Sequence, residues 1–295
     1  MKSSIETALL HDMQGMVDAV SPQCILCGGN KRRLLRQSGF WKIHACEDCG
    51  LGILDPRPRK DFLPILYQKE YFASQYDTGV EPDSPEFNRW LDLLGHRVRF
   101  FRRLKRRGKL LDIGCGNGYF LALCKKRGYE VQGIDISAWA ANYASSKLGI
   151  TVKVGELEDI QYSSEFFDIV TMWHTLEHMG DPVKMILKVR SWLKPEGILV
   201  IEVPNYIGTD ALNEADQWIG WQIPFHLFHF TPQALAKLLE QSGFRIVKFK
   251  DFHSETVKNT LKEYPIISLF ARTIAKFFSG HSIAVVAQKI KPGQS

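Results

Sequence analysis

The sequence predicts an α/β fold, a doubly wound and mostly parallel sheet of seven strands, preceded by a small cysteine-rich module. Three observations predict it. From about residue 86 onward, short apolar runs alternate with amphipathic stretches of roughly ten to fourteen residues. That alternation calls for right-handed crossovers, which lay helices on both faces of a parallel sheet. A glycine-rich turn lies between the first apolar run and the first helical stretch, and two Cys-x-x-Cys pairs sit near the N-terminus.

At 295 residues, with 45% hydrophobic and 24% charged side chains, the chain has the balance of a globular protein with room for one α/β domain and an appendage. The organisation expected is an N-terminal extension (1–20), a metal-bound module (21–59), a linker (60–85) and an α/β domain (86–295). No apolar run reaches the roughly 18 residues of a membrane span, and residues 1–20 mix charges among their apolar positions, so a cytoplasmic location is expected. The net charge of +6 is uneven, with eight basic residues between Arg97 and Lys109. This run suits phosphate or anionic lipid. A solvated helix face is the plainer reading, because Val98, Phe100, Phe101 and Leu104 form an apolar stripe between the charges.

The elements follow in order. After the aromatic and proline-containing linker, with Tyr67, Tyr71, Phe72 and Tyr76, Lys109 to Ile113 reads as a strand and Tyr119 to Arg127 as a helix closed by Gly128. Glu130 to Ile134 is the second strand, and Ser137 caps a helix running to Leu148. Thr151 to Val154 and Phe167 to Met172 are the next strands, and Asp181-Pro182 opens a helix. Gly197 to Val203 is the fifth strand, and Thr231-Pro232 opens a helix closed by Gly243. Phe244 to Lys250 and Ser282 to Gln288 lack an obvious crossover helix, which predicts an antiparallel end to the sheet. Between them Ile266, Phe270, Ile274 and Phe277 recur at helical spacing with Lys262, Arg272 and Lys276 interleaved. A lid or dimer contact is expected there, with peripheral membrane contact as the sharper alternative.

The segment Leu111-Asp112-Ile113-Gly114-Cys115-Gly116-Asn117-Gly118 joins a strand to a helix, and Asp135 stands at the tip of the next strand. Bare glycines permit φ > 0 and let the backbone approach a ligand, and ligands of open α/β sheets lie beyond the carboxyl ends of the strands. Asp135 is placed to accept from both hydroxyls of a ribose. Dinucleotide-binding folds also use a glycine turn, but here an aspartate precedes glycines at every second position. The pattern resembles the first motif of class I S-adenosylmethionine methyltransferases, which have a Rossmann-like fold, and the resemblance runs from about Leu94 to Ile290. It implies that Asp112, with Gly114, Cys115, Gly116 and Gly118, holds the amino-acid end of S-adenosyl-L-methionine. It further implies Asp135 and Ile136 at the ribose, Glu156 and Leu157 at the adenine, and Trp173 beside the cofactor. Phe167-Asp168-Ile169-Val170 and Leu193-Lys194-Pro195-Glu196-Gly197 match that family's fourth strand and the approach to its fifth.

Cys24-x2-Cys27 and Cys46-x2-Cys49 are separated by eighteen residues, the spacing of a four-thiolate structural zinc site. Such a site holds together a segment too small for its own core. Cys115 and Cys124 read as small buried apolar residues. A zinc ribbon joined to a class I methyltransferase domain resembles the sugar C-methyltransferase and ubiquinone-type O-methyltransferase group.

Bases are sought after the fourth and fifth strands, where Trp173-His174-Thr175-Leu176-Glu177-His178 and Pro224-Phe225-His226-Leu227-Phe228-His229 follow the strand ends. The second segment resembles a His-x-x-Tyr-Phe signature of the sugar C-methyltransferases, with His226 at the histidine and His229 where tyrosine belongs. His226, His229 and His174 are the catalytic candidates, while Glu177 and His178 read as structure or cofactor support. Trp218, Trp221 and Phe225 form either an acceptor wall or core packing. The reading is methyl transfer to a hydroxyl or activated carbon of a small molecule, a sugar or cell-envelope precursor among the candidates. Two alternatives stand beside it, an RNA or DNA methyltransferase using the ribbon and basic helix, and a cofactor-binding scaffold without turnover. The absence of an Asn/Asp-Pro-Pro-aromatic turn after the fourth strand counts against nucleic acid.

Overall fold

The computed structural model describes residues 15–61 and 80–291. The aromatic cluster of the linker and most of the N-terminal extension lie outside the described residues.

The N-terminal module is an antiparallel meander of β2 (Arg32–Ser38), β3 (Trp41–Cys46) and β4 (Gly52–Asp55), beside a short pair formed by β1 (Val17–Asp18) and β5 (Arg57–Pro58). Trp41, Ile43 and Ala45 alternate inward along β3, as a half-buried strand requires. The meander does not end with the module. A fourth strand, β11 (Phe228–His229), arrives from the far end of the chain and pairs antiparallel with β4. Trp41, Ile53 and Leu54 therefore share one apolar cluster with Leu111, Val170 and Ile201 of the large sheet.

The α/β domain begins with α1 (Pro85–Phe101), whose Ser84 cap accepts from the Phe87 amide at 3.0 Å. The sheet then comprises β6 (Lys109–Ile113), β7 (Glu130–Asp135), β8 (Thr151–Val154), β9 (Phe167–Trp173), β10 (Leu193–Pro204), β12 (Phe244–His253) and β13 (Ser279–Lys289). Their spatial order is β12-β13-β10-β9-β6-β7-β8, and β13 alone runs against its neighbours. The crossovers are α2 (Tyr119–Lys126), α3 (Ala138–Leu148) and α4 (Pro182–Trp192), while α5 (Thr209–Glu214) and α6 (Pro232–Gln241) follow β10. Strand order reverses between β6 and β9, so the loops leaving these strands diverge and open a crevice at the carboxyl rim.

Two expectations change. The fifth strand starts at Leu193 rather than Gly197, because Lys194 to Gly197 is absorbed as an irregularity in the pairing with β9. The apolar stripe near the C-terminus is not one helix. α7 (Glu255–Lys262) stops ahead of Pro265, a 3₁₀ turn spans Ile267–Phe270, and α8 (Ala271–Ala275) buries its alanines. Ile266 and Phe277 are left 80% and 85% exposed. Among the described residues, no helix is long and apolar enough to cross a membrane.

Candidate active site

The glycine turn leaves β6 through Gly114, Gly116 and Gly118, at φ of +72°, +52° and +78°, and enters α2. Asp135 secures it from the end of β7, accepting from the Gly116 amide at 2.7 Å and the Ser137 amide at 2.8 Å. The glycines clear protein as well as space for a ligand. A Cβ on Gly114 would lie 2.5 Å from Thr175 Oγ1, and one on Gly118 would lie 2.9 Å from Ala144 Cβ. Asp112 is buried beneath the turn and accepts from Thr171 Oγ1 at 2.5 Å. Burial pushes its carboxyl up to about 7, against the pull of the Thr171 bond.

A cleft of about 510 Å³ opens above this turn. Its floor includes Asp112, Gly114, Cys115 and Asn117; Trp173, His174 and His178 come from the end of β9, and Trp218, Gly220 and His226 from the segment after β10. Of the residues expected to contact a cofactor, Gly116, Gly118, Asp135, Ile136, Glu156 and Leu157 lie outside the walls of this cleft. Ile136 is 39% exposed, and Glu156 pairs with Lys60 at 2.8 Å. Leu157 is buried in the main apolar cluster. Trp218 faces the cleft, with its Nε1 donating to His281 Nδ1 at 2.9 Å. Trp221 meets it edge to face at 5.1 Å, and Phe225 packs against the main apolar cluster.

The histidines divide into three kinds. His174, at φ +53°, places its ring between two carboxylates, 3.0 Å from Glu202 Oε1 and 3.5 Å from Glu177 Oε1. Burial opposes the imidazolium, but the two carboxylates outweigh it and push His174 up to about 9. It is a cation at neutral pH and a donor rather than a base. His178 and His226 are opposite in character. His178 Nδ1 lies 3.0 Å from the Phe225 carbonyl, and His226 Nδ1 lies 2.8 Å from the Gly220 carbonyl. A carbonyl only accepts, so in both rings Nδ1 carries the hydrogen and Nε2 is the acceptor nitrogen. Burial holds both rings below the ordinary imidazole range. Their centroids are 4.6 Å apart, edge to face.

His229, expected near the chemistry, does not line the cleft. It is the β11 residue opposite Gly52, with its ring 5.3 Å from Trp221, and burial pushes it down to about 3. Strand alternation is the reason, since two residues of β11 pair with β4 and His229 is consumed by that seam.

Two charged residues escaped the sequence reading. Arg97, from the basic run, projects off α1 into the cleft with Trp90 and Leu94 and stacks over Trp173 at 4.8 Å. Its spacing from Trp90 and Leu94 is the signal that placed it on the inward face. Glu202 is a single carboxylate inside the apolar run Ile198 to Val203, a pattern that marks a buried ion partner. Arg97 lies 3.7 Å from it.

In the module, Cys24 Sγ lies 3.7 Å from Cys49 Sγ, and Cys27 Sγ lies 3.4 Å from Cys46 Sγ; all four sulfurs fall within 4.8 Å of one another. Tetrahedral zinc with bonds of about 2.3 Å spaces its sulfurs about 3.8 Å apart, so the set fits that ion. Cys115 and Cys124 are buried away from it, as expected.

The family model of a methyltransferase domain matches residues 86–248. The ubiquinone biosynthesis O-methyltransferase of Coxiella burnetii is 28% identical over 164 residues, covering 51% of this chain and 69% of its own. That of Actinobacillus pleuropneumoniae serotype 7 is 32% identical over 107 residues, 33% of this chain and 46% of its own. Among solved structures, the SAM-dependent methyltransferase of Archaeoglobus fulgidus superposes with a TM-score of 0.54 at 24% identity, covering 75% of this chain and all of that one. The S-adenosylmethionine-dependent methyltransferase of Mesorhizobium loti gives 0.51 at 19%, covering 68% of this chain and all of that one. These likenesses agree on the seven-stranded, mostly parallel sheet, and the family match spans more than half of the chain. With its glycine turn at the switch point and its carboxylates at the ends of β6 and β7, the chain belongs to the methyltransferase-domain family and is a class I S-adenosylmethionine-dependent methyltransferase.

Proposed function

We propose that this enzyme methylates a hydroxyl group of a small molecule bound in the cleft, against the corner formed by His178 and His226. One observation carries the reading: two imidazoles with acceptor nitrogens line the same cleft as the glycine turn. The O-methyltransferase relatives support a hydroxyl over a carbon acceptor. A sugar or cell-envelope precursor remains within the acceptor class that this size of cleft accommodates.

Bound S-adenosylmethionine supplies an electrophilic methyl group on a sulfonium. The residues of this chain do the remainder. Asp112, enclosed and short of donors, suits the ammonium of the cofactor's amino-acid end. Each Asp135 oxygen spends one lone pair on a backbone amide and keeps another for a ribose hydroxyl, and Ile136, Glu156 and Leu157 are the candidates for the adenine end. Trp173, held by Arg97 and Phe120, walls the methyl side. Methyl transfer is an in-line displacement, so fixing the acceptor oxygen opposite the methyl carbon accounts for much of the acceleration. The hydroxyl proton leaves toward the Nε2 side of the His178–His226 corner, while His174, already protonated, neutralises Glu177 and Glu202. Zinc in Cys24, Cys27, Cys46 and Cys49 would stiffen the sheet to which β11 is joined, and so steady His226 two residues before it.

The test is incubation with methyl-labelled cofactor and a panel of phenolic, sugar and carbon-acid acceptors, followed by mass analysis of the product. Label on oxygen of one acceptor class is expected, reduced by about 10²-fold in His226→Ala. Label on carbon, or equal turnover by that variant, overturns the reading.

A further inference from the structure

We propose that Glu177, His178 and His226 together bind one divalent cation on the inner wall of the cleft. One ligand atom from each falls within 4.8 Å of the others. Donors about 2.1 Å from a shared ion stand at most about 4.2 Å apart, and the 4.8 Å bound on the trio lies close to that reach. Two features independent of proximity point to an ion. Histidine ligands are commonly oriented by a hydrogen bond from the other ring nitrogen to a carbonyl. Both rings have that arrangement, through Phe225 and Gly220, and each directs Nε2 away from its carbonyl. Glu177 is 0% exposed, and among the described residues neither of its carboxylate oxygens receives a well-formed hydrogen bond. An enclosed carboxylate is costly, and the cation beside it, the His174 ring at 3.5 Å, stands at the long limit of a hydrogen bond.

Two imidazoles and one carboxylate suit Mn²⁺, Fe²⁺ or Zn²⁺ better than the all-oxygen preference of Ca²⁺. The thiolate site lies in another element and has no nitrogen ligand, so the two are chemically separable. His178 and His226 face the cleft, which leaves coordination positions open toward the acceptor. The role of the ion rests on the methyl-transfer reading, although its binding does not. An acceptor hydroxyl held there becomes more acidic. With both Nε2 lone pairs given to the ion, the proton passes to solvent instead of to the His178–His226 corner; the oxygen lone pair forms the bond to the methyl carbon, and the carbon–sulfur bond breaks with its electron pair returning to sulfur.

The experiment is titration of the zinc-loaded full chain with Mn²⁺, reading free Mn²⁺ by electron paramagnetic resonance. One Mn²⁺ per chain is expected, with affinity lowered at least about tenfold in Glu177→Gln and in His226→Gln, each checked by circular dichroism for folding. The wild-type arm decides even where a variant fails to fold. No Mn²⁺ bound, with Zn²⁺ and Co²⁺ also confined to the cysteines, overturns the site, as does unchanged affinity in the folded variants. Methyl transfer that survives without any bound cation overturns the ion's role in the reaction and leaves the enzyme reading standing. A bound cation with no methylated product from any acceptor does the reverse.

Discussion

Gly52 and His229 face each other across an antiparallel seam so tight that a Cβ on Gly52 would lie 2.7 Å from the Cβ of His229. The seam joins strands 177 positions apart in the chain. It joins the cysteine module in one sheet to β11, two residues after His226, and is reinforced by Tyr206 Oη donating to the Gly50 carbonyl at 2.7 Å. Gly52→Ala must push β11 outward, because the obstructing atoms belong to a strand and not to the far end of a flexible side chain. A loss of about 1–3 kcal/mol is expected, read as a fall in Tm of several degrees. The acceptor KM should rise while the cofactor Kd stays within about twofold. A cofactor Kd that changes as much as KM would show that the seam does not act selectively on the acceptor side.

Disrupting the four-cysteine cluster, and any zinc it holds, should have a similar selective effect. Cys49→Ser is expected to lower Tm and loosen Leu227 to His229, because those residues bond to β4, which follows the Cys46–Leu51 turn. Hydrogen exchange checks this directly. Faster exchange at Leu227 and His229, with β6 and β7 unchanged, is the anticipated pattern.

Gly114 separates backbone conformation from ligand contact. Gly114→Ala combines a left-handed φ with an approach of 2.5 Å to Thr175 Oγ1. Cofactor affinity should drop at least about tenfold, with a stability loss of about 2 kcal/mol. In Gly114→Ala/Thr175→Ala part of the stability returns while the φ strain stays. Calorimetric titration with cofactor and thermal unfolding of the single and double variants measure both effects.

Asp112 predicts a proton release. Its folded pKa is raised to about 7, so the folded state binds a proton more tightly than the unfolded chain. Its contribution to stability is therefore greatest below the ordinary carboxylate range and is lost as pH rises toward 7. A cationic ammonium beside it restores the carboxylate, so cofactor binding near pH 7 should release roughly half a proton. Calorimetry in buffers of different ionisation enthalpy measures this, and Asp112→Asn should abolish the release.

His174 carries the opposite sign. Burial disfavours its charge, yet Glu177 and Glu202 raise its folded pKa to about 9. The stability it contributes is complete below the unfolded value and is lost as pH climbs through 9. The ring is 38% exposed to the cleft, so solvent screening reduces the effect to about 1 kcal/mol, or about 2–4 °C in Tm between pH 7 and 9. His174→Asn, which tolerates the left-handed φ, should flatten that part of the profile. An identical slope in the variant would assign it elsewhere.

Much of this molecule was legible before any coordinates, and the reason is locality. The strand–helix alternation from Lys109 to Gly243, the caps at Ser137, Asp181 and Thr231, and the glycine turn with Asp112 and Asp135 are short-range patterns. Backbone dihedrals and side-chain period express them directly. The Cys-x-x-Cys pairs belong with them, since each knuckle is local and only their mutual approach is not. Tertiary structure decided what depends on strand order. It placed β13 between β10 and β12, carried β11 across to the cysteine module, and withdrew His229 from the cleft. It also brought Glu177 and His178 against His226, and Arg97 against Glu202, across separations of about fifty and one hundred residues. No periodicity encodes those meetings. They follow from burying two faces of one twisted sheet at once, which settles which loops converge at its rim and which side chains are left to face each other there.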